Sequence, residues 1–395
     1  MQERFDRRTT RTVNVGEVPI GSEHPVVVQS MINEKTQNIS HAAEQIKNLH
    51  LKGAEIVRVA TPTFKDAQTL FDIKKELVKR YKNVPLVADI HHQGAKIALE
   101  AVKHVEKVRI NPGLLVFHKP IERRNDYSEN EIAQQIDEID QTLLPIINAC
   151  KENGVALRIG VNHGSLAERL TVMWGNTPKG MVESALEYLR ICQSRGFNGL
   201  IVSLKASSVP TMQEANRLMV REMDKESMDY PIHLGVTEAG KDQYARIKSA
   251  LGIGTLLSEG IGDTIRVSLT EDPVAELSVG YDILQGLELK KTKAEIIACP
   301  SCGRTTFDLT EVTDRITSAV FHLKGLKIAI MGCVVNGPGE IADSDYGIMG
   351  ISEGKVAVFR GKKQVATVIQ NEAEEALISL IKEDSKWINP PKSSE

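Results

Sequence analysis

Residues 85–111 read PLVADIHHQGAKIALEAVKHVEKVRIN. Two short runs rich in β-branched residues, 85–90 and 107–111, flank a segment, 95–103, whose apolar residues recur at helical spacing. The stretch is therefore one β-α-β unit, and both of its strands close on polar residues, Asp89 with His91 and Arg109 with Asn111. The same rhythm runs outward in both directions. Strand-like runs fall at 26–31, 55–61, 85–90, 107–111, 155–162, 200–206, 232–238 and 264–270, with amphipathic segments at 41–52, 64–81, 95–103, 129–152, 181–195, 212–223, 242–257 and 274–287. Eight such repeats predict a (β/α)8 TIM-type barrel, in the α/β class. The irregular stretch 113–130, GLLVFHKPIERRNDYSEN, is expected to be a long loop above it.

The chain has 395 residues, 41% hydrophobic and 26% charged, which is enough apolar material for a large core and excludes collagen-like, coiled-coil and low-complexity classes. With 49 basic against 52 acidic residues the net charge is -3, so no global field draws nucleic acid or an anionic membrane, and any anion site must be local. No apolar run approaches the roughly 18 to 20 residues of a membrane span. The start, MQERFDRRTTRTVNVG, carries Glu3 and Asp6 and lacks an apolar core, so it reads as neither secretory signal nor transit peptide, and a soluble, cytoplasmic protein is expected. After about residue 290 the repeat stops. The expected domains are 1–288, the barrel, and 289–395, a small α+β unit with a strand at 327–334, a hairpin over 355–369 turning at Arg360-Gly361-Lys362, a closing helix at 373–383 and a disordered end, NPPKSSE.

Side chains at the C-terminal ends of barrel strands converge on one mouth. There the sequence offers Arg58, Asp89 and His91, Arg109 and Asn111, Arg158 and Asn162, Ser203 and Lys205, Glu238, and Arg266 and Ser268. Paired residues lie two or four apart, so period-two alternation puts each pair on one face. Five cations (Arg58, Arg109, Arg158, Lys205, Arg266) stand against two carboxylates (Asp89, Glu238). That excess suits a multiply charged anion such as a group with more than one phosphate. The competing reading is an ion-pair network that holds the strand ends together, although it leaves three cations without partners.

Five cysteines are present, and three of them, Cys299, Cys302 and Cys333, crowd the C-terminal unit as Cys299-Pro-Ser-Cys302 and, thirty residues on, Met331-Gly-Cys333. The clustering points to metal rather than disulfides. A thioredoxin-type redox pair does not fit, because the CxxC does not open a βαβ unit and a third cysteine is close in sequence. Zinc, with His322 as a fourth ligand, and an iron-sulfur cluster both remain. For the cluster, Glu340 is the nearest oxygen donor, and the turn Asn336-Gly-Pro-Gly339 leaves room for backbone amides to approach inorganic sulfide. Cys150 and Cys192 sit among apolar helical neighbours and read as ordinary buried thiols.

The runs VVVQSMIN, EIVRVATPT, PLVADIHH, KVRINPG, RIGVNHGSL, HLGVTEAG, LLSEGIGDTIRVSL, ACPSCGR and MGCVVNGPGE resemble those of the 4-hydroxy-3-methylbut-2-en-1-yl diphosphate synthase family, iron-sulfur enzymes of the non-mevalonate isoprenoid pathway, over almost the whole chain. The resemblance implies an oxidoreductase that opens 2-C-methyl-D-erythritol 2,4-cyclodiphosphate reductively, with two electrons and loss of water. It implies one 4Fe-4S cluster per chain, held by Cys299, Cys302, Cys333 and Glu340. Arg58, Arg109, Arg158, Lys205 and Arg266 would clamp the cyclic diphosphate, assisted by His91, Asn111, Asn162 and Ser268, while Asp89 would contact substrate and Glu238 would serve proton delivery. It further implies a homodimer in which the cluster domain of one subunit caps the barrel of the other.

The form of 113–130 resembles that of photosynthetic bacteria, which makes ferredoxin the expected electron donor and flavodoxin the alternative. No dinucleotide fingerprint follows a strand, so an external carrier is required, and the few residues between the eighth strand and 289 leave no room for the family's extra middle domain. Two rivals stand beside this reading: a non-redox barrel acting on a sugar phosphate with structural zinc in the tail, and a non-catalytic iron-sulfur sensor.

Overall fold

The computed structural model describes residues 6–92, 94–116 and 125–390, so the middle of the 113–130 stretch and the last five residues of NPPKSSE lie outside the described residues. The chain divides into two compact units, 1–290 and 291–395. In the first, a hairpin of β1 (Val13–Val15) and β2 (Val18–Ile20) precedes eight parallel strands: β3 (Val27–Met31), β4 (Ile56–Ala60), β5 (Leu86–Asp89), β6 (Lys107–Ile110), β7 (Ala156–Asn162), β8 (Leu200–Lys205), β9 (His233–Leu234) and β10 (Thr264–Ile265). Neighbours pair in chain order, β10 returns to β3, and a bridge between Val202 and Ile232 joins β8 to β9. The (β/α)8 barrel read from the sequence is present.

Two expectations need correction in the strands. The seventh and eighth were drawn over 232–238 and 264–270 but shrink to two residues each. A Cβ on Gly235 would lie 2.6 Å from the Arg266 carbonyl oxygen, so the two chains run too close there for a regular ladder, and Glu238 adopts φ +54, which no strand tolerates. The helices match closely, but those expected at 181 and 212 begin earlier, at Pro178 and Val209, each with a hydroxyl cap (Thr177, Ser208) and proline in the first turn. The stretch 113–130 is not all loop: Pro112–Leu115 forms a helical turn, and the Glu129–Asn153 helix opens on a Ser128/Glu131 capping box.

Alternate residues of each strand face opposite ways. Val57, Val59, Leu86, Ala88, Val108, Ile110, Leu157 and Ile159 pack outward under the helices. Inward, Val27, Ile56, Val87, Ala156 and Ile201 form an apolar floor with Val13, Val15 and Ile20 of the hairpin, which plugs the N-terminal end. The rung that starts at Gln29 and Ile56, carried along the ladders around the ring, meets the chain of β3 again at Gly21, the eight-residue stagger of a closed barrel. With that stagger, alternate strands contribute to common layers. Rising from the floor, these are Ile56, Lys107, Ile201 and Thr264; then Gln29, Val87, Arg158 and His233; then Arg58, Arg109, Ser203 and Arg266; then Met31, Asp89, Gly160 and Gly235; and finally Ala60, Asn111 and Lys205. From the second layer upward the interior is polar, where barrels ordinarily pack branched apolar side chains.

The second unit is a five-stranded sheet in chain order: β11 (Glu295–Ala298), β12 (Lys327–Met331), β13 (Tyr346–Ser352), β14 (Lys355–Arg360) and β15 (Lys363–Ile369), with the first three parallel and the rest antiparallel. Helices Leu309–Val320 and Ala373–Glu383 cover one face and Gly337–Ala342 the other. The hairpin turns at Gly361 with φ +51, and the closing helix is where it was expected. The sequence reading missed β11, β13 and the Leu309–Val320 helix, and it ran β12 on to residue 334, although Val334 and Val335 are exposed. β13 was hidden by its glycines, which close contacts require: a Cβ on Gly350 would sit 2.4 Å from Thr306 Oγ1, and one on Gly347 2.7 Å from Ile341.

Candidate active site

Asp89, the last residue of β5 and 3% exposed, is the hub of the barrel mouth. Its Oδ1 accepts from Arg109 Nη1 at 3.0 Å, and its Oδ2 lies 3.1 Å from His91 Nε2 and 3.5 Å from Arg58 Nε. Burial alone would raise its pKa, but the charges of Arg58 and Arg109 and the His91 bond outweigh it and hold the carboxyl well below the usual range. Arg109 also donates from Nη2 to the Gly160 carbonyl at 3.0 Å. Gly160 is needed there, since a Cβ would come within 2.4 Å of Arg109 Nε. Arg266 is held from outside the barrel by Glu276 of the Pro273–Gly286 helix, at 3.1 and 3.2 Å. Burial and the charge of Arg58 pull its pKa down to about 10, and burial raises that of Glu276.

Arg158 and Lys205 are buried and make no ion pair among the described residues. For both, burial and then the neighbouring guanidinium groups push the pKa well below the ordinary range. The space Lys205 fills exists because position 235 is glycine, where a Cβ would lie 2.8 Å from Nζ. Asn111 donates to Ser165 Oγ at 2.9 Å while its Oδ1 accepts from Gly113 N–H, so it caps the helical turn that follows. Asn162 ends β7, and Ser268 follows β10 by three residues, partly buried. Glu238 is not brought to this cluster by the strand: it lies four residues beyond Leu234, exposed, without a hydrogen bond among the described residues.

Sequence reasoning missed three buried residues of the same interior, Gln29, Lys107 and His233, and the buried Glu276 that holds Arg266 from the outer helix. Lys107 carried a signal, since it lies two residues before Arg109 and so shares its face. Gln29 and His233 fall inside the strand-like runs 26–31 and 232–238 and were not singled out. Burial first, then the cations around them, pushes both the Lys107 ammonium and the His233 imidazolium well below their usual pKa.

In the second unit, Cys299 directly follows β11 and Cys333 follows β12 by two residues, so neighbouring parallel strands deliver both at the same end. Cys299 Sγ accepts from Gly332 N–H at 3.1 Å. Cys302 is exposed in the intervening loop, and a hydrogen bond from the Arg304 backbone lowers its thiol pKa. Glu340 is exposed in the first turn of the Gly337–Ala342 helix. His322, the fourth ligand of the zinc reading, has its Nε2 at 2.6 Å from the Ile388 carbonyl and its ring against Trp387. Among the described residues no three ligating side chains close on a single ion position. Thiols at adjacent strand ends with a backbone amide aimed at sulfur suit an iron-sulfur cluster, a larger group with sulfide acceptors of its own. Cys150 and Cys192 are buried, which pushes each thiol up to about 12 and leaves them inert.

Fold and site together define a β/α barrel built to hold a multiply charged anion, followed in the chain by a thiol-bearing α+β unit. The model of the GcpE TIM-barrel domain matches residues 10–281 and that of the GcpE protein C-terminal domain residues 295–383, and the chain belongs to the GcpE family. A relative from Gloeothece citriformis (strain PCC 7424) is 56% identical over 384 residues, covering 97% of this chain and 95% of its own. One from Picosynechococcus sp. is 56% identical over 98% of this chain and 95% of its own, and one from Synechocystis sp. 54% over 99% and 98%. All three are named 4-hydroxy-3-methylbut-2-en-1-yl diphosphate synthase (ferredoxin). No helix among the described residues is long and apolar enough to cross a membrane.

Proposed function

We propose that this chain is a ferredoxin-dependent 4-hydroxy-3-methylbut-2-en-1-yl diphosphate synthase, which takes up two electrons, opens the ring of 2-C-methyl-D-erythritol 2,4-cyclodiphosphate and releases one oxygen as water. The observation that carries the reading is the carboxylate-poor set of buried cations in the barrel, which is costly without an anion and suited to a diphosphate. Arg58, Arg158, Lys205 and Arg266 bind the diphosphate oxygens, and Arg109 acts with them. His91, Asn111, Asn162 and Ser268 orient the remaining oxygens and hydroxyls. Asp89 contacts the substrate while fixing Arg109 and Arg58, and Glu238, on its exposed segment, supplies a proton.

Cys299, Cys302 and Cys333 hold a 4Fe-4S cluster, with Glu340 as the exchangeable fourth ligand. When bound, that group supplies single electrons and a Lewis-acidic iron. The 1–288 and 289–395 portions thus divide substrate binding from redox chemistry. We assign the protein to the cytoplasm, as a homodimer in which the cluster domain of one subunit serves the barrel of the other, with ferredoxin as donor and flavodoxin as an alternative.

Anaerobic purification followed by iron, sulfide and zinc assays and turnover of the cyclic diphosphate with reduced ferredoxin tests the reading. About four irons and four sulfides per chain with product formation is the expected result. A colourless protein with one zinc after reconstitution, or a cluster-loaded protein that leaves the cyclic diphosphate intact, refutes it.

A further inference from the structure

The second inward layer of the barrel and the level just below it contain three groups that the diphosphate reading does not use, Gln29, Lys107 and His233, beside Arg158, which it does. Six polar atoms at these two levels are buried and without a hydrogen-bond partner among the described residues: Gln29 Nε2 and Oε1, Lys107 Nζ, Arg158 Nε and Nη1, and His233 Nε2. Their residues are all at most 1% exposed. The stagger of the barrel puts Gln29, Arg158 and His233 in one layer, from alternate strands, with Lys107 in the layer beneath. A buried unpaired polar atom is costly, and one barrel level rarely gathers several.

Gln29 Oε1 accepts from neither Lys107 nor Arg158, so these buried ends leave one another unsatisfied, with Val27 and Ala156 of the apolar floor beneath them and the layer of Arg58, Arg109 and Arg266 above. The chemistry of this level is one-sided. Gln29 Nε2, Lys107 Nζ and the two Arg158 nitrogens are donors, and His233 Nε2 becomes a fifth when the Thr264 hydroxyl, 3.3 Å from Nδ1, donates to the ring. The one obligate acceptor is Gln29 Oε1. Charge points the same way: Asp89 and Glu276 pair with Arg58, Arg109 and Arg266, whereas Lys107 and Arg158 have no carboxylate partner among the described residues. Water would satisfy some donors but would neutralise nothing.

We propose that the barrel interior holds a small monovalent inorganic anion of halide size, bound by Lys107, Arg158, Gln29 and His233 in a site beneath the one that takes the diphosphate, with Arg158 common to both. The layer of Arg58, Arg109 and Arg266 lies above these donors, so a multiply charged oxyanion that enters from the mouth meets that layer first. Its role is structural, as a counter-charge that lets a cation-rich barrel stand with its mouth empty.

Bromide is the probe. The full-length protein is crystallised with bromide replacing chloride, with and without pyrophosphate, and anomalous scattering locates the halide. The proposal expects a bromide peak within hydrogen-bonding reach of Lys107 Nζ and the Arg158 guanidinium under both conditions. Ordered water there, or bromide at the mouth alone and displaced by pyrophosphate, overturns it while leaving the diphosphate reading intact. Conversely, an interior bromide in a protein that fails to bind pyrophosphate sinks the diphosphate reading and not this one. In solution, the melting temperature in bromide should exceed that in gluconate at equal ionic strength. Gln29→Glu places a carboxylate among these donors and should abolish that difference, as should Lys107→Met if it folds; an undiminished halide effect in Gln29→Glu refutes the assignment.

Discussion

Replacing Asp89 by asparagine keeps its volume and removes its charge from the centre of the barrel mouth. The carboxylate faces Arg109 at 3.0 Å and Arg58 at 3.5 Å, with His91 at 3.1 Å, at a position 3% exposed. At an effective dielectric near 20, each guanidinium contact is a gross attraction of about 5 kcal/mol. Most of that offsets desolvation, and removing one partner of a buried pair costs about 3 to 5 kcal/mol because the remaining charges are left uncompensated. Here two arginines lose their counter-charge while Arg158 and Lys205 already lack one, so the upper part of that range is expected. For a unit of this size, at roughly 2 °C per kcal/mol, the barrel transition in scanning calorimetry should fall by about 8 to 10 °C.

Two further readings follow from the same geometry. Pyrophosphate supplies negative charge to the bereft cations, so it should raise the melting temperature of Asp89→Asn more than that of the unmodified protein and narrow the gap. The carboxyl is held well below its usual range, so its contribution is present above the unfolded pKa of about 4 and lost only as pH falls through the lower folded value. The gap should therefore stay constant from about pH 8 to 5 and shrink in stronger acid. An unchanged melting temperature in Asp89→Asn would refute the claim that this carboxylate holds the mouth together, and a gap that pyrophosphate widens would refute the counter-charge argument.

The plug and the buried histidine give independent tests. Ile20→Ala removes a fully buried side chain from the hairpin that floors the barrel and should cost about 2 to 5 kcal/mol in denaturant unfolding, whereas an unaltered midpoint would mean that the hairpin is not part of the cooperative core. His233 has its pKa pushed well below normal, so the folded barrel takes up no proton there while the unfolded chain does, and stability is lost as pH falls below about 6.5. His233→Gln should remove that share, improving relative to the unmodified protein by up to about 1.4 kcal/mol per pH unit between pH 6 and 5; parallel pH profiles would mean that His233 is charged in the fold.

The barrel was legible because its strands are buried on both faces and its helices alternate with them, so even the runs around Arg109 and Arg158, with charges among β-branched residues, kept their period of two. The last two strands were overdrawn because hydropathy does not register close backbone approach: Gly235 and the left-handed Glu238 end the ladder while the sequence stays strand-like. The same reasoning puts Glu238 on an exposed segment beyond β9 instead of on the strand itself. The plug was missed because two three-residue strands around Gly16 are too short to show alternation. In the second unit, glycines that make room for Thr306 and Ile341 disguised β13 as loop. The cation count was legible, but the depth of Lys107 and His233 was not, because depth depends on the stagger of the barrel, which only the strand registers reveal.

The arginines of the mouth divide their work by which nitrogens are already taken. Arg109 has Nη1 on Asp89 and Nη2 on the Gly160 carbonyl, so the side chain is fixed in place, and its unpartnered Nε is what remains most plainly uncommitted. Arg58 commits only Nε, to Met31 Sδ and Asp89, and Arg266 commits Nε and Nη2 to Glu276. Both therefore keep terminal nitrogens for an oxyanion. The two carboxylates, one on a strand and one on an outer helix, each engage only part of the guanidinium groups they hold. A third carboxylate inside the barrel would relieve the repulsion further, but it would compete with a diphosphate for the same donors. The residual positive charge is thus the compromise that lets the barrel stand while its mouth still favours an anion.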